Sequence, residues 1–255
     1  MKIKRVVFKV GTATLYEDGK LSKRVDEIVK LLSELNKEYE IILVSSGAVG
    51  AGYTKCPLDK TKLPNKQALA AIGQPLLMRE YKDRFNKYGV TVAQVLLTAA
   101  DLDSRKRTEY AKKMIDILLE NRVIPIVNEN DSVSVEEILF GDNDQLSAYV
   151  TYYFGGNLLI MLSDIDAFYT DNPKTNKNAK PIKIVNEIKD EWLEQKCDPN
   201  DKFATGGIVT KLKAAKFLLD KNLKMFLTNG NNLKTVREIL KGNQTSGTLF
   251  SKEQK

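Results

Sequence analysis

The chain has 255 residues, 42% of them apolar, enough for one large α/β domain or two lobes sharing a sheet and far from a disordered or collagenous composition. Its net charge of +7 comes from 40 basic and 33 acidic residues interspersed along the chain, a pattern that favours small anionic ligands over nucleic acid. Histidine is absent, so Ser-His-Asp and Cys-His machinery and His-ligated zinc are excluded, and any catalysis must run on Lys, Arg, carboxylates, hydroxyls, backbone amides and a hard cation.

Strand-like apolar runs read at 5–10, 41–45, 91–96, 123–127, 158–162 and 224–228. Helical patterns lie between them, at 21–39, 65–88, 102–121, 144–153, 207–222 and 233–241. In the first of these, Val25, Ile28, Val29, Leu32 and Leu35 share one face, and Ser22 is placed to cap it. Strands apolar on both faces and separated by helices predict a mainly parallel sheet covered on each side. Gly155-Gly156 is the expected lobe boundary, giving an acid-substrate lobe at about 1–155 and a nucleotide lobe at about 156–255. The polar loop 164–181 is the expected ligand-covering flap. The start of the chain lacks a signal-peptide pattern, and runs such as 158–162 are too short to span a bilayer. Cys56 and Cys197 share no metal-type spacing, so the expectation is a reduced, cytoplasmic protein that binds no membrane.

Four stretches carry candidate chemistry. Lys9-Val10-Gly11-Thr12 closes the first strand and offers a cation and an open backbone to a phosphate, although taken alone a lysine before a turn reads more readily as a chance event. Residues 45–52, SSGAVGAG, follow the second strand with small residues that let amides approach an anion, or simply make a tight strand-to-helix turn; Ser46 could donate to a carboxylate. Residues 128–144, NENDSVSVEEILFGDND, crowd Asn128, Asn130, Asp131, Asn143 and Asp144 at the end of the fourth strand. That is a small polar pocket or a pair of hydrated turns. Residues 204–211, ATGGIVTK, aim Thr205, Gly206 and Gly207 at a helix start, with Lys211 one turn on. Found in this order at successive strand ends, the four read together as a phosphoryl-transfer site. ATP supplies the phosphate and a substrate carboxylate attacks it, so no protein base is needed. Lys9, Lys211 and Mg²⁺ neutralise the crowded charge, and Asp144 holds the two lysines.

VFKVGT, VSSGAVGAG, QALAAIGQ, PIVNENDSV, FGDNDQLSA, LLIMLSDIDAFYT, ATGGIVTK and SGTLF together resemble the amino-acid kinase family, in particular its glutamate-phosphorylating branch, over essentially the whole chain. The resemblance implies a three-layer αβα sandwich and the reaction of ATP with L-glutamate to give ADP and L-glutamyl 5-phosphate, the first step of proline synthesis. It implies that Ser46, Asp131 and Asn143 bind glutamate. It places Lys9, Ser163, Asp164 and the run Thr205, Gly206, Gly207, Ile208, Val209, Thr210 and Lys211 on the ATP side, with Lys9, Lys211 and Asp144 around the transferred phosphoryl group. Mg²⁺ dependence, a homo-oligomer and feedback inhibition by proline are also implied. Ala204, Ser163 and Ala167 depart from the pattern, and the C-terminal PUA domain of many bacterial members is expected to be lacking. The rival readings are a kinase of the same fold acting on N-acetylglutamate or aspartate, and a non-catalytic amino-acid sensor. A free α-amino group requires an acceptor such as Asp131, which argues against the acetylated substrate.

Overall fold

The computed structural model describes residues 3–17, 20–133, 143–173, 175–194 and 207–252. Strand β1 (Arg5–Val10) lies inside an eight-stranded sheet, bonded in parallel to β4 (Glu40–Ser45) on one side and β7 (Leu158–Ser163) on the other. Beyond β4 come β6 (Ile124–Glu129) and, at the edge, β5 (Val92–Leu97), both parallel to their neighbours. Beyond β7 come β9 (Lys224–Asn229), then β10 (Thr248–Phe250) and β8 (Ile184–Val185). Among the described residues, only the β9–β10 pairing in this sheet is antiparallel. A separate two-stranded ribbon, β2 (Tyr16–Glu17) and β3 (Lys20–Leu21), follows the short helix α1 (Thr12–Leu15).

Each central strand is apolar on both faces because each face meets a helical layer. Val6, Phe8 and Val10 pack with helices α2 (Arg24–Leu35), α4 (Leu63–Asn86) and α10 (Leu233–Leu240), through Ile28, Leu32, Tyr81, Phe85 and Val236. Val7, Ile42 and Val44 face α6 (Arg105–Glu120), α7 (Asn143–Tyr153) and α9 (Gly207–Asp220), through Ile115, Leu146, Val150, Ala215 and Leu218. Side chains alternate along a strand, so Lys9 shares the face of Val7 and is carried into the α7–α9 layer. The result is the three-layer αβα sandwich expected from the alternation of strands and helices.

Several boundaries differ from the sequence expectation. Helix α2 begins at Arg24 rather than 21, because Lys20–Leu21 enter the ribbon; Ser22 lies outside the cap position, although its hydroxyl accepts from the Arg24 amide at 3.2 Å. The single helix expected at 102–121 is two, α5 (Ala99–Asp103) and α6. Thr98 and Asp101 form a reciprocal cap on α5, and Ser104 is extended and accepts from the Arg107 amide to start α6. Residues 48–53 form a helix of their own, α3 (Ala48–Tyr53). Strands β8 and β10 and the one-turn helix α8 (Asp190–Leu193) carry too little periodicity to be read beforehand. The 164–181 excursion is pinned at its base. The Ile182 amide donates to the Phe168 carbonyl, the Thr170 amide to the Lys180 carbonyl, and the Phe168 amide to Thr248 Oγ1.

Candidate active site

Five loops leave the carboxyl ends of β6, β4, β1, β7 and β9 side by side. After β1 the chain builds β4, β5 and β6 on one flank and then β7, β9 and β10 on the other, so β1 is the point where strand order reverses. Crevices of this kind hold ligands in open α/β sheets.

At that point Asp144, in the first turn of α7 and fully buried, joins two lysines. Lys9 Nζ stands 2.5 Å from Asp144 Oδ1, and Lys211 Nζ stands 3.0 Å from Oδ2. Thr210 Oγ1 donates to Oδ2 as well, at 2.9 Å, and Lys211 also donates to the Gly207 carbonyl at 2.9 Å. The local cause is visible in both helices. Lys211 falls on the α9 face occupied by Leu212, Ala215 and Leu218, and that face packs on α7, with Tyr149 edge-on to Phe217 at 4.6 Å. Burial raises the pKa of Asp144, but the two ammonium groups more than offset it and hold the carboxyl at about 2. The Asp144 carboxylate is therefore ionised at neutral pH.

On the β4–β6 flank lies a cavity of about 650 Å³ lined by Ser46, Gly47, Lys66, Glu129, Asp131 and Asn143, among others. Asn143 begins α7 and knits the flank together. Its Nδ2 donates to the Ser45 carbonyl (3.2 Å), Ser46 Oγ (2.8 Å) and Asn128 Oδ1 (2.9 Å). Asn128 is buried, takes Gln74 Oε1 through its own amide at 3.0 Å and receives the Glu129 backbone amide at 2.9 Å. Gly47 adopts φ 106°, a left-handed turn that leads into α3 and that a side chain would strain. The wall behind is set by contact between backbones. A Cβ on Gly73 would lie 1.8 Å from the Ala48 carbonyl oxygen, and one on Gly52 would lie 2.0 Å from that of Leu69. Asp131 is half-buried; burial first, and then the neighbouring Glu129 carboxylate, push its pKa up to about 6, with Lys66 opposing.

On the β7–β9 flank Ser163 Oγ donates to Asp164 Oδ1 at 3.0 Å, and Asn229 Nδ2 donates to the Asp164 carbonyl at 3.1 Å. Both residues border a polar recess of about 270 Å³ with Thr14 and Asn231. A second recess, of about 400 Å³, is lined by Phe168, Tyr169, Ile182, Trp192 and Ile208, with the rings of Phe168 and Trp192 edge to face at 5.0 Å.

The structure thus gathers Lys9, Asp144, Thr210 and Lys211 into one contact network, groups Ser46, Asp131 and Asn143 around one cavity, and sets Ser163 and Asp164 together across β1 from them. Gly207, Ile208 and Val209 form the first turn of α9. Thr205 and Gly206 lie outside the described residues, as do Asp142 and Cys197. Sequence reasoning left Lys66, Gln74 and the aromatic recess unassigned. Only the FYT triplet after β7 hinted at the recess.

The amino acid kinase family model matches residues 4–229. A glutamate 5-kinase of Leishmania donovani is 50% identical, covering 97% of this chain and 95% of that protein. One of Helicobacter hepaticus is 48% identical, covering 98% and 96%. Among solved structures, a UMP kinase of Bacillus anthracis (TM-score 0.65, 17% identity, 100% of this chain and 98% of that one) and an isopentenyl phosphate kinase of T. acidophilum (TM-score 0.68, 15% identity, 97% and 100%) share the fold. With the strand order and the lysine-bridged carboxylate already seen, a match over this span shows that the chain belongs to the amino acid kinase family, in its glutamate 5-kinase branch.

Proposed function

We propose that the chain phosphorylates the side-chain carboxylate of L-glutamate with ATP, giving L-glutamyl 5-phosphate and ADP. The observation that carries the reading is the buried carboxylate of Asp144 clamping Lys9 and Lys211 between an acid-lined cavity and the recesses at β7 and β9. It is supported by the names and full-length similarity of the relatives.

In this reading glutamate occupies the cavity bordered by Ser46, Asp131 and Asn143, with its α-ammonium on Asp131. Asp131 is costly to ionise in the empty protein, and a bound cation relieves that cost. An acetylated, uncharged nitrogen would leave the cost in place, so the N-acetylglutamate rival fits less well. ATP lies on the other flank. Its base has the aromatic recess beside Ile208, and its phosphates have Ser163, Asp164 and the start of α9.

The glutamate γ-carboxylate is already ionised at neutral pH, so no proton need be removed. One of its oxygens forms a bond to the γ-phosphorus while the bond from that phosphorus to the β–γ bridging oxygen breaks, and the electron pair leaves on ADP. Both reactants are anionic, and catalysis is positioning plus cations. Lys9 approaches from the central strand and Lys211 from α9, and Asp144 fixes their separation before substrate arrives. Among the described residues no group of three or more metal-ligating side chains could hold a resident ion. Mg²⁺ would arrive with the nucleotide, and the exposed Asp164 carboxylate on that flank is the side chain that would meet it. When bound, the ion neutralises phosphate oxygens. Inhibition by proline, homo-oligomers and a cytoplasmic location travel with this reading and rest on relatedness alone.

A hydroxylamine trap tests it. With ATP and Mg²⁺, acyl hydroxamate should form from glutamate and not from N-acetylglutamate or aspartate. Signal from N-acetylglutamate alone overturns the substrate assignment.

A further inference from the structure

We propose that Lys66 is the specificity-determining partner of the substrate's α-carboxylate, so that the cavity reads the amino acid as a zwitterion through an Asp131–Lys66 pair. This deepens the glutamate reading and rests on it.

An amino acid carries its α-ammonium and α-carboxylate on one carbon, so whatever binds them must present opposite charges side by side. Among the residues bordering the cavity, Asp131 and Lys66 do so; Lys66 lies close enough to oppose the upward push on the Asp131 carboxyl. The other bordering ammonium, Lys60, is exposed at the rim and stands over the ring of Tyr53 at 3.7 Å.

Two neutral side-chain donors bordering the cavity, Asn143 and Ser46, are tied to each other. Asn143 Nδ2 has two hydrogens and faces three protein oxygens, leaving it no spare donor for a second carboxylate. Ser46 Oγ keeps its hydroxyl hydrogen, but Ser46 is bound to Asn143, which precedes Asp144, and so belongs with the reacting end of the substrate. A cation at the far end would match the charge of the α-carboxylate.

Lys66 is also held where such a group must be held. It is half-buried in the first turns of α4, on the face that continues through Ala70, Gly73 and Gln74 at helical spacing. That face lies backbone to backbone against α3 at Gly73 and Gly52, and Gln74 ties it to Asn128. The register of Lys66 to Ser46 is thus fixed by contacts that leave no room to slide.

The test compares L-glutamate with its α-amide, isoglutamine, in the wild type and in Lys66→Met and Lys66→Arg, with thermal melts to confirm folding. The wild type should prefer glutamate by about a hundredfold or more in kcat/KM, as expected of a site built around a charged hydrogen bond. Lys66→Met should lose about that factor on glutamate, mostly through KM, change the isoglutamine rate by less than about threefold and leave the KM for ATP unmoved. Lys66→Arg should recover part of the preference. An equal loss on both substrates, or an unchanged KM for glutamate, overturns the role of Lys66 while the kinase reading stands. Wild-type protein that turns over neither acid overturns the kinase reading itself, and the assignment of Lys66 with it.

Discussion

A carboxylate held between two buried ammonium groups behaves differently from any of its partners when changed alone. Lys211→Met removes one cation from the proposed transfer site while Lys9 still neutralises Asp144, so kcat should fall by about 10²–10³ with little change in KM for glutamate. Asp144→Asn leaves two buried lysines without their counter-ion, and should cost about 3–5 kcal/mol of stability in urea titration besides activity. A normal kcat in Lys211→Met would sink the transfer-site assignment. Asp131 gives a pH signature of its own. Its carboxyl titrates near 6 in the folded chain, and it must be ionised to take an ammonium group. The kcat/KM for glutamate should therefore climb with pH up to about 6 and then level, and Asp131→Asn should abolish that limb. The stability sign is the reverse. A folded pKa raised above the ordinary 3.8 stabilises the fold at low pH, and the contribution is lost as pH rises through 6. Asp131→Asn should then melt higher than the wild type at pH 8, by the equivalent of about 1–3 kcal/mol, and no higher near pH 3.5. A residue that lowers stability at working pH is what a binding site costs when its ligand is absent.

The pairing of α3 with α4 governs where half of the cavity wall stands. Gly73→Ala puts a methyl 1.8 Å from a carbonyl oxygen that belongs to backbone and cannot swing aside. The two helices must part, which should cost about 1–3 kcal/mol or more and raise the KM for glutamate while leaving the KM for ATP near normal. A Gly73→Ala variant with unaltered stability would show that the helices have slack. This contact also marks the limit of what the sequence discloses. Strands β1, β4, β6, β7 and β9 were legible because each is a six-residue strand with a short apolar run at its centre, bounded by polar turns and buried on both faces. Lys9, Asp144 and Lys211 were legible as a group because each stands beside a strand end or a helix start, where backbone amides and cations converge. Lys66 and Gln74 were not, because their place depends on Gly52 meeting Gly73, a pairing of two helices that no local pattern encodes. Strands β8 and β10 escaped for a simpler reason: two or three residues show no period. The break at Ser104 was present in the sequence as Thr98-x-x-Asp101 followed by a second capping serine, and the apolar spacing across it hid the signal.

Across the whole molecule the two ends of the sheet divide the work. The carboxyl ends hold the Asp144 bridge and the recesses on either side of it, while the amino ends are closed by Arg5. Its guanidinium bonds Glu40 and Asp116, each at 2.8 Å, and the Phe154 carbonyl, so one side chain ties β1 to the start of β4, to α6 and to the end of α7. Asn157 Oδ1 accepts the Lys4 and Arg5 amides beside it, both at 2.9 Å. If the division is real, the two ends should respond independently to substitution. Arg5→Met should cost about 2–3 kcal/mol, the loss of charged hydrogen bonds at a mostly buried site, with both KM values and kcat retained. The acid dependence supplies a further check. The Glu40 and Asp116 carboxyls are partly buried, which alone would raise them, yet Arg5 and the nearby lysines Lys4 and Lys112 hold both below their ordinary values. Depressed carboxyls contribute stability above the unfolded pKa values, near 4, and lose it as the pH falls through the folded ones. The gap between wild type and Arg5→Met should be widest at pH 7 and narrow below about pH 4 as the carboxyls protonate. A variant that melts lower but also shifts the KM for glutamate would mean that strain at the amino ends travels along β1 to Lys9, and that the sheet transmits rather than separates.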